Sequence, residues 1–83
     1  MDKVLVTIYV PSIEEEFDVY LPINLQLIEV INSFQKDLVS LSDNNFEIIE
    51  RPILYDELTG KILNNNNIVK NCGLNRGSRI LLR

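Results

Sequence analysis

The chain has 83 residues, and 46% of them are hydrophobic. This is enough for one domain with a two-layer core, and we expect residues 1–83 to form a single domain. It contains no histidine and one cysteine, which excludes a Ser-His or Cys-His catalytic pair, a zinc finger and an internal disulfide. Its apolar runs fall short of the roughly 20 residues of a membrane helix. No basic segment followed by an apolar one opens the chain, so we expect no signal peptide.

The net charge of −4 is spread unevenly along the chain. Residues 1–50 carry two basic and ten acidic residues, whereas residues 51–83 carry six basic and two acidic ones. An acidic chain argues against non-specific nucleic-acid binding, which needs a broad basic surface. The basic excess of the second segment is either a local patch or, as we prefer, part of a solvated surface of mixed charge.

Two strands open the chain. Apolar residues alternate over Lys3–Val10, where Val4, Val6, Ile8 and Val10 share one face and Leu5, Thr7 and Tyr9 share the other. Pro11 ends this strand, because proline cannot donate a hydrogen bond to a neighbouring strand. Alternation resumes over 16–21 and ends at Pro22, so the short acidic connection at Glu14–Glu16 predicts a β-hairpin. These adjacent carboxylates are either a cation site or, more commonly, a solvated turn.

One helix of about 14 residues is predicted after the hairpin. Leu27, Ile31, Phe34 and Leu38 repeat at helical spacing, with polar residues between them. Asn24 is the predicted N-cap, since its side chain can accept from exposed amides of the first turn.

The second half of the chain predicts short strands. Phe46 to Leu54 is strand-like but is interrupted by Pro52, which indicates a shorter strand or an edge strand. Ile62-Leu63 is a very short strand, Asn64 to Asn67 a polar loop, and Arg79 to Arg83 a last strand with Ile80 and Leu82 on one face. This element order predicts an α+β β-grasp: a mixed four- to five-stranded sheet with its first and last strands parallel at the centre and one main helix packed on one face.

Two C-terminal segments, Gly60–Leu63 and Val69–Leu82, resemble ubiquitin-like proteins over a matching order of elements. The likeness is greatest to the bacterial YukD/EsaB family, ubiquitin-like accessory proteins of the type VII secretion system. The family's motif is matched by Asn71, Cys72, Gly73, Leu74, Gly77, Ser78 and Ile80. Independently of any family, Gly73 and Gly77 fit tight turns that need a positive φ.

This resemblance implies a cytoplasmic, non-enzymatic adaptor that binds cytoplasmic parts of the secretion membrane machinery and supports export of small helical WXG-type substrates. The alternative is a ubiquitin-like interaction domain of unrelated use, such as a Ras-binding or PB1-like adaptor. We expect no catalytic residues, cofactor, metal, small-molecule substrate, nucleic-acid partner or membrane insertion. Ubiquitin-type modifiers act through a Gly-Gly tail, and the sequence stops at Leu82-Arg83, so we also expect no conjugation to targets.

A partner-binding surface is predicted on the sheet face that the helix leaves uncovered. Its candidate residues are Leu5, Tyr9, Arg79, Leu81 and Arg83, with Leu5 expected near Leu81. Apolar and tyrosine side chains bordered by arginine are typical of protein interfaces. An ordinary solvated sheet face is the alternative. Cys72 is expected to pack as a small apolar residue beneath a turn, with a reactive thiol as the alternative.

Overall fold

A mixed sheet with one helix on one face is the framework of the protein. The computed structural model describes residues 2–83. Its elements are β1 (Lys3–Val10), β2 (Glu15–Pro22), α1 (Leu27–Leu41), β3 (Leu54–Asp56) and β4 (Ser78–Leu82), with 3-10 turns at Pro11–Ile13 and Val69–Asn71. The four strands lie in the order β2-β1-β4-β3. The predicted β-grasp is confirmed, with four strands in the sheet.

The first and last strands lie side by side at the centre of the sheet, as predicted. β1 pairs with β4 in parallel from Val6↔Ser78 to Tyr9↔Leu81, and with β2 in antiparallel along its whole length. Glu14 closes the hairpin in a left-handed conformation (φ 52°) and donates its N–H to Pro11 O at 3.1 Å. Because side chains alternate along a strand, those of β1 and β4 point in turn to the helix face and to the opposite face of the sheet.

The core lies between the sheet and α1. Its buried apolar side chains are Val6, Ile8, Val10, Leu21, Leu27, Val30, Ile31, Phe34, Leu38, Phe46, Leu54, Val69, Ile80 and Leu82. Phe17 of β2 meets Phe34 of α1 edge to face, with ring centroids 5.9 Å apart, a favoured aromatic geometry. The alternating residues of β1 and the helical stripe of α1 thus form one apolar layer.

The helix starts later than predicted, and Asn24 is not its N-cap. The N-cap is Gln26, whose backbone N–H donates to Glu29 Oε2 at 3.2 Å. The turn just before it is fixed by a distant segment: Val69 N–H donates to Leu25 O at 2.9 Å and Lys70 N–H to Ile23 O at 3.0 Å. Because this pairing fixes the backbone before Gln26, the helix cannot begin at Asn24.

The run of four asparagines, predicted as a plain polar loop, provides hydrogen-bond acceptors for the first backbone amides of α1. Leu27 N–H donates to Asn67 O and Ile28 N–H to Asn65 O, both at 2.9 Å. The amides of a helix's first turn have no acceptor within their own helix. Here the backbone carbonyls of Asn65 and Asn67 accept from two of these amides. A tertiary contact therefore does what a local cap was expected to do.

The segment before β3 is not a strand, so the predicted strand from Phe46 to Leu54 is wrong except at its last residue. The buried Gln35 of α1 replaces a strand partner there: Ile49 N–H donates to Gln35 Oε1 at 2.7 Å, and Gln35 Nε2 donates to Ile49 O at 3.2 Å. One side-chain amide thus satisfies both backbone groups of Ile49. Likewise, Ile62-Leu63 forms only an isolated bridge, Ile62↔Tyr55.

Two glycines form the turns that lead into β4. Gly73 has φ 75° and Gly77 has φ 86°, a region that residues with a Cβ rarely adopt. Gly77 N–H donates to Leu5 O at 2.9 Å, which aligns the turn with β1 just before the parallel pairing begins.

Replacing Ile31 by Ala tests the core. Ile31 is fully buried, so the lost contacts and the cavity should lower the free energy of unfolding by about 2–5 kcal/mol in urea denaturation. Leu58→Ala is the matched control, because Leu58 is 93% exposed and should change stability by less than about 0.5 kcal/mol. Equal losses in the two variants would contradict the assignment of the core.

Replacing Gln35 by Met tests the side-chain amide. The substitution keeps the volume but removes both hydrogen bonds to Ile49, and should cost about 1–3 kcal/mol of stability. Hydrogen exchange of the Ile49 amide should speed up more than that of amides in β1. Asn32→Met, at an exposed site of the same helix, is the control. Unchanged exchange at Ile49 would show that Gln35 does not hold this segment.

Candidate protein-binding surface

A row of paired side chains crosses the sheet on the face opposite α1, which we call the outer face. Strand register makes each member of the row the direct partner of the next: Glu16 on β2, Tyr9 on β1, Leu81 on β4, Tyr55 on β3 and Ile62 beside it. Directly paired residues of neighbouring strands share a face and lie close together. We call Tyr9, Leu81, Tyr55 and Ile62 the apolar row.

The apolar row becomes more exposed towards the β3 edge. Tyr9, Leu81 and Tyr55 are half-buried, whereas Ile62 is 65% exposed. Ile53 extends the surface: it exchanges both backbone hydrogen bonds with Arg83, at 2.8 and 2.9 Å, and alternation with the buried Leu54 puts it on the outer face. The structure therefore presents two tyrosines and three aliphatic residues together on this face.

Sequence reasoning identified only part of this surface. Tyr9 and Leu81 were predicted and are neighbours, but Tyr55, Ile53 and Ile62 were not among the predicted site residues. Ile53 and Tyr55 flank Leu54, and this alternation could have predicted from the sequence that both lie on the outer face. Ile62 could not be placed from sequence, because one bridging residue has no periodicity.

The expected contact between Leu5 and Leu81 is wrong. In the parallel register Leu81 lies beside Tyr9, and Leu5 is four residues further along β1, about 13 Å away at strand spacing. Leu5 pairs instead with Tyr20. With Lys3 and Arg76 these two residues line a separate depression of about 180 Å³, where Lys3 Nζ lies 4.9 Å from the centroid of the Tyr20 ring.

Arg79 lies across the outer face instead of projecting freely from its margin. Its Nη2 contacts Glu16 Oε2 at 2.7 Å, and its Nε contacts Glu57 Oε2 at 3.2 Å. Since β1 separates β4 from β2, the guanidinium reaches over β1 to meet Glu16. The hydrogen bond and charge of Glu16, and then the charge of Glu57, raise the pKa of Arg79 above its usual value. A partner therefore meets a guanidinium that is already ion-paired beside the apolar row.

Arg83 is exposed at the end of β4, where only its backbone pairs with Ile53. Its side chain borders Ile53 on the β3 side of the outer face. Of the two predicted arginines, Arg83 is thus the one placed at the margin of the apolar surface.

A second concave region lies beside β4 and has both apolar and polar walls. This open groove of about 550 Å³ is lined by residues 56–59 and by Gly73, Asn75, Gly77, Ser78 and Arg79. Asp56, its most enclosed carboxylate, accepts from the backbone N–H groups of Leu58 and Thr59 at 2.9 and 3.3 Å. That pattern is a side-chain turn in which the carboxylate orders its own loop.

Within residues 2–83, no three His, Cys, Asp or Glu side chains are grouped so that they could hold a metal ion. Of the helices that the structure describes, none has the length and apolarity needed to cross a bilayer.

Cys72 packs against the core from the turn before β4, as expected. Its Sγ lies 3.5 Å from Ile68 O and 4.0 Å from the carbonyl oxygens of Asn64 and Asn67. Burial raises the pKa of this thiol above its ordinary value. The thiolate, which is the reactive form, is therefore disfavoured at neutral pH.

Comparison with known proteins identifies the fold but not a family. No protein-family model matches the sequence, and no curated protein matches it significantly. The chain is similar in structure to the ubiquitin-like domain of the Mycobacterium tuberculosis type VII secretion protein EccD1: TM-score 0.75, 16% identity, 99% of this chain and 98% of that chain covered.

Two other solved structures show how widely the fold occurs. A chain of the MycP5-free ESX-5 inner membrane complex matches with TM-score 0.71 and 17% identity over 100% of this chain and 21% of that chain. A chain of the toluene 4-monooxygenase HD complex matches with TM-score 0.72 and 13% identity, covering 96% and 95%. At such identities the likeness establishes a ubiquitin-like β-grasp fold, and function must be argued from surfaces.

Alkylation of Cys72 tests its environment. At pH 7.5 iodoacetamide should react about threefold or more slowly with the folded protein than with the chain in guanidinium, because burial lowers the thiolate fraction. The rate should rise with pH, with an inflection above that of the unfolded chain. A folded protein that reacts as fast as the unfolded chain would make Cys72 a reactive thiol.

Proposed function

We propose that this chain is a non-enzymatic ubiquitin-like adaptor of a bacterial type VII secretion system, with a role like that of the YukD/EsaB proteins that its sequence resembles. It acts in the cytoplasm as one ubiquitin-like domain. Its partners are cytoplasmic domains of the membrane components of the machine. The similarity in fold to a domain of EccD1 and to part of the ESX-5 complex supports this assignment.

The observation that carries an adaptor role is the apolar row on the uncovered sheet face. Tyrosine and aliphatic side chains that are partly exposed and contiguous can bury apolar area against a partner with little loss of side-chain entropy. Ile62, which is 65% exposed, forms its accessible end, and Ile53, which is 42% exposed, extends the surface there. Arg83 and the ion-paired Arg79 border the row and supply polar contacts at the rim.

Binding to purified cytoplasmic domains of the type VII membrane components from the same organism tests this proposal. Calorimetry should detect a complex with at least one of them. Ile62→Glu should weaken it about tenfold or more, because it places a charge in the buried part of the interface. Absence of binding by the wild-type protein to every such component would overturn the secretion assignment.

Leu41→Glu is the matched control for Ile62→Glu. Leu41 is a 70% exposed aliphatic residue at the end of α1, on the helix side of the sheet. Both variants should melt within about 4 °C of wild type. If the folded Ile62→Glu variant binds as tightly as the Leu41→Glu variant, the interface does not include the apolar row.

A further inference from the structure

A pocket on the outer face, about 13 Å along β1 from the apolar row, is bordered by two cations. Lys3 and Leu5 project from this face, because they alternate with buried residues of β1. On one side of Leu5 lies its direct partner Tyr20. On the other side Gly77 N–H donates to Leu5 O at 2.9 Å, which sets Arg76 beside β1. We call this depression the basic pocket; its lining consists of Lys3, Val4, Leu5, Tyr20 and Arg76.

The two cations of the basic pocket have no carboxylate partner within residues 2–83, although the chain contains 12 acidic residues. The ion pairs in that part of the chain are those of Arg79 with Glu16 and Glu57. No acidic side chain belongs to the lining of the basic pocket. On the same face of β2, the carboxylate of Asp18 accepts from the Thr7 hydroxyl at 2.7 Å. The basic pocket is therefore a positively charged site on an acidic protein, and it complements an anion.

The wall of the basic pocket is apolar and aromatic. Leu5 is half-buried, and Tyr20, which is 57% exposed, stands beside it. Lys3 Nζ lies 4.9 Å from the centroid of the Tyr20 ring, within the range of a cation–π contact. An occupant thus meets apolar surface in the pocket and positive charge at its rim.

The volume of the basic pocket, about 180 Å³, limits the occupant to a group the size of one residue. Pockets for drug-sized ligands measure roughly 300–1,000 Å³, whereas a cavity of about 150 Å³ holds one benzene ring. The anion and the apolar group must therefore belong to the same residue. An apolar residue at the end of a chain meets this requirement, because its α-carboxylate and its side chain are bonded to the same carbon atom.

We propose that the basic pocket binds the C-terminal residue of a partner protein, a residue with a large apolar side chain such as phenylalanine or leucine. The α-carboxylate accepts charge-assisted hydrogen bonds from Lys3 and Arg76. The apolar side chain packs on Leu5 and on the Tyr20 ring. This site is separate from the apolar row and does not depend on the secretion assignment.

An acetylated tetrapeptide, with glycine and two serines followed by a C-terminal phenylalanine, tests the proposal on the full chain. NMR titration should shift the amides of Leu5, Tyr20 and Arg76, with a Kd of about 1 mM or tighter. The same peptide with a C-terminal amide lacks the carboxylate and should bind about tenfold or more weakly. A third peptide keeps the charge but moves it to an aspartate that precedes an amidated phenylalanine. It should also bind about threefold or more weakly, because its anion and its ring are on different residues.

Lys3→Gln and Arg76→Gln should each weaken binding of the free-carboxylate peptide about threefold or more, because each removes a cation from the pocket. Lys36→Gln and Arg51→Gln are the matched controls: they remove the same charges at exposed sites outside the lining and should leave binding unchanged. Ile62→Glu, in the apolar row, should leave it unchanged as well. All five variants should melt within about 4 °C of wild type, so that a loss of binding is not a loss of fold.

Absence of the shifts at about 10 mM peptide would overturn the proposal. So would equal binding of the free-carboxylate and amidated peptides, or equal effects of the pocket variants and their controls. If the aspartate peptide binds as tightly as the free-carboxylate peptide, the pocket takes an internal acidic segment and the assignment of a chain end is wrong. If inorganic phosphate shifts the same amides and displaces the peptide at equal concentration, the pocket recognises charge alone and the apolar contact is wrong.

Discussion

The parallel pairing of β1 with β4 is the constraint on which the rest of the structure depends. It joins the beginning and the end of the chain at the centre of the sheet, with registered pairs from Val6↔Ser78 to Tyr9↔Leu81. Parallel neighbours need a long crossover connection, and everything from the hairpin to Gly77 serves as that crossover. Helix α1 packs over the central strands, so burial of Ile8 and Ile80 against it makes the pairing and the core interdependent.

The same register decides the composition of the outer face. It sets Tyr9 beside Leu81, and β3 then adds Tyr55 on the far side. A shift by one residue would exchange the core and outer sets of β4, which burial of Ile80 and Leu82 prevents. The ion pair between Arg79 and Glu16 reflects the strand order, because the Arg79 side chain reaches from β4 across β1 to β2.

Fold similarity alone does not choose between functions for this chain. Comparable structures occur in EccD1 and in the toluene 4-monooxygenase complex, so function depends on the surfaces that the β-grasp leaves open. The apolar row on the outer face is one such surface.

Local periodicity in the sequence determined β1, β2 and the apolar stripe of α1, because alternation and helical spacing are properties of consecutive residues. It also determined the β-grasp, since the order of elements leaves few ways to bury one helix on one sheet. Tertiary structure alone decided what depends on distant partners. Residues 23–26 are fixed in a turn by their hydrogen bonds and bridge to 68–70, so α1 begins at Leu27 and not after Asn24. Residues before β3 stay irregular because the Gln35 amide takes the place of a neighbouring strand. Ile62 joins the apolar row only because the chain returns beside Tyr55, and no property of the residues around Ile62 encodes that return.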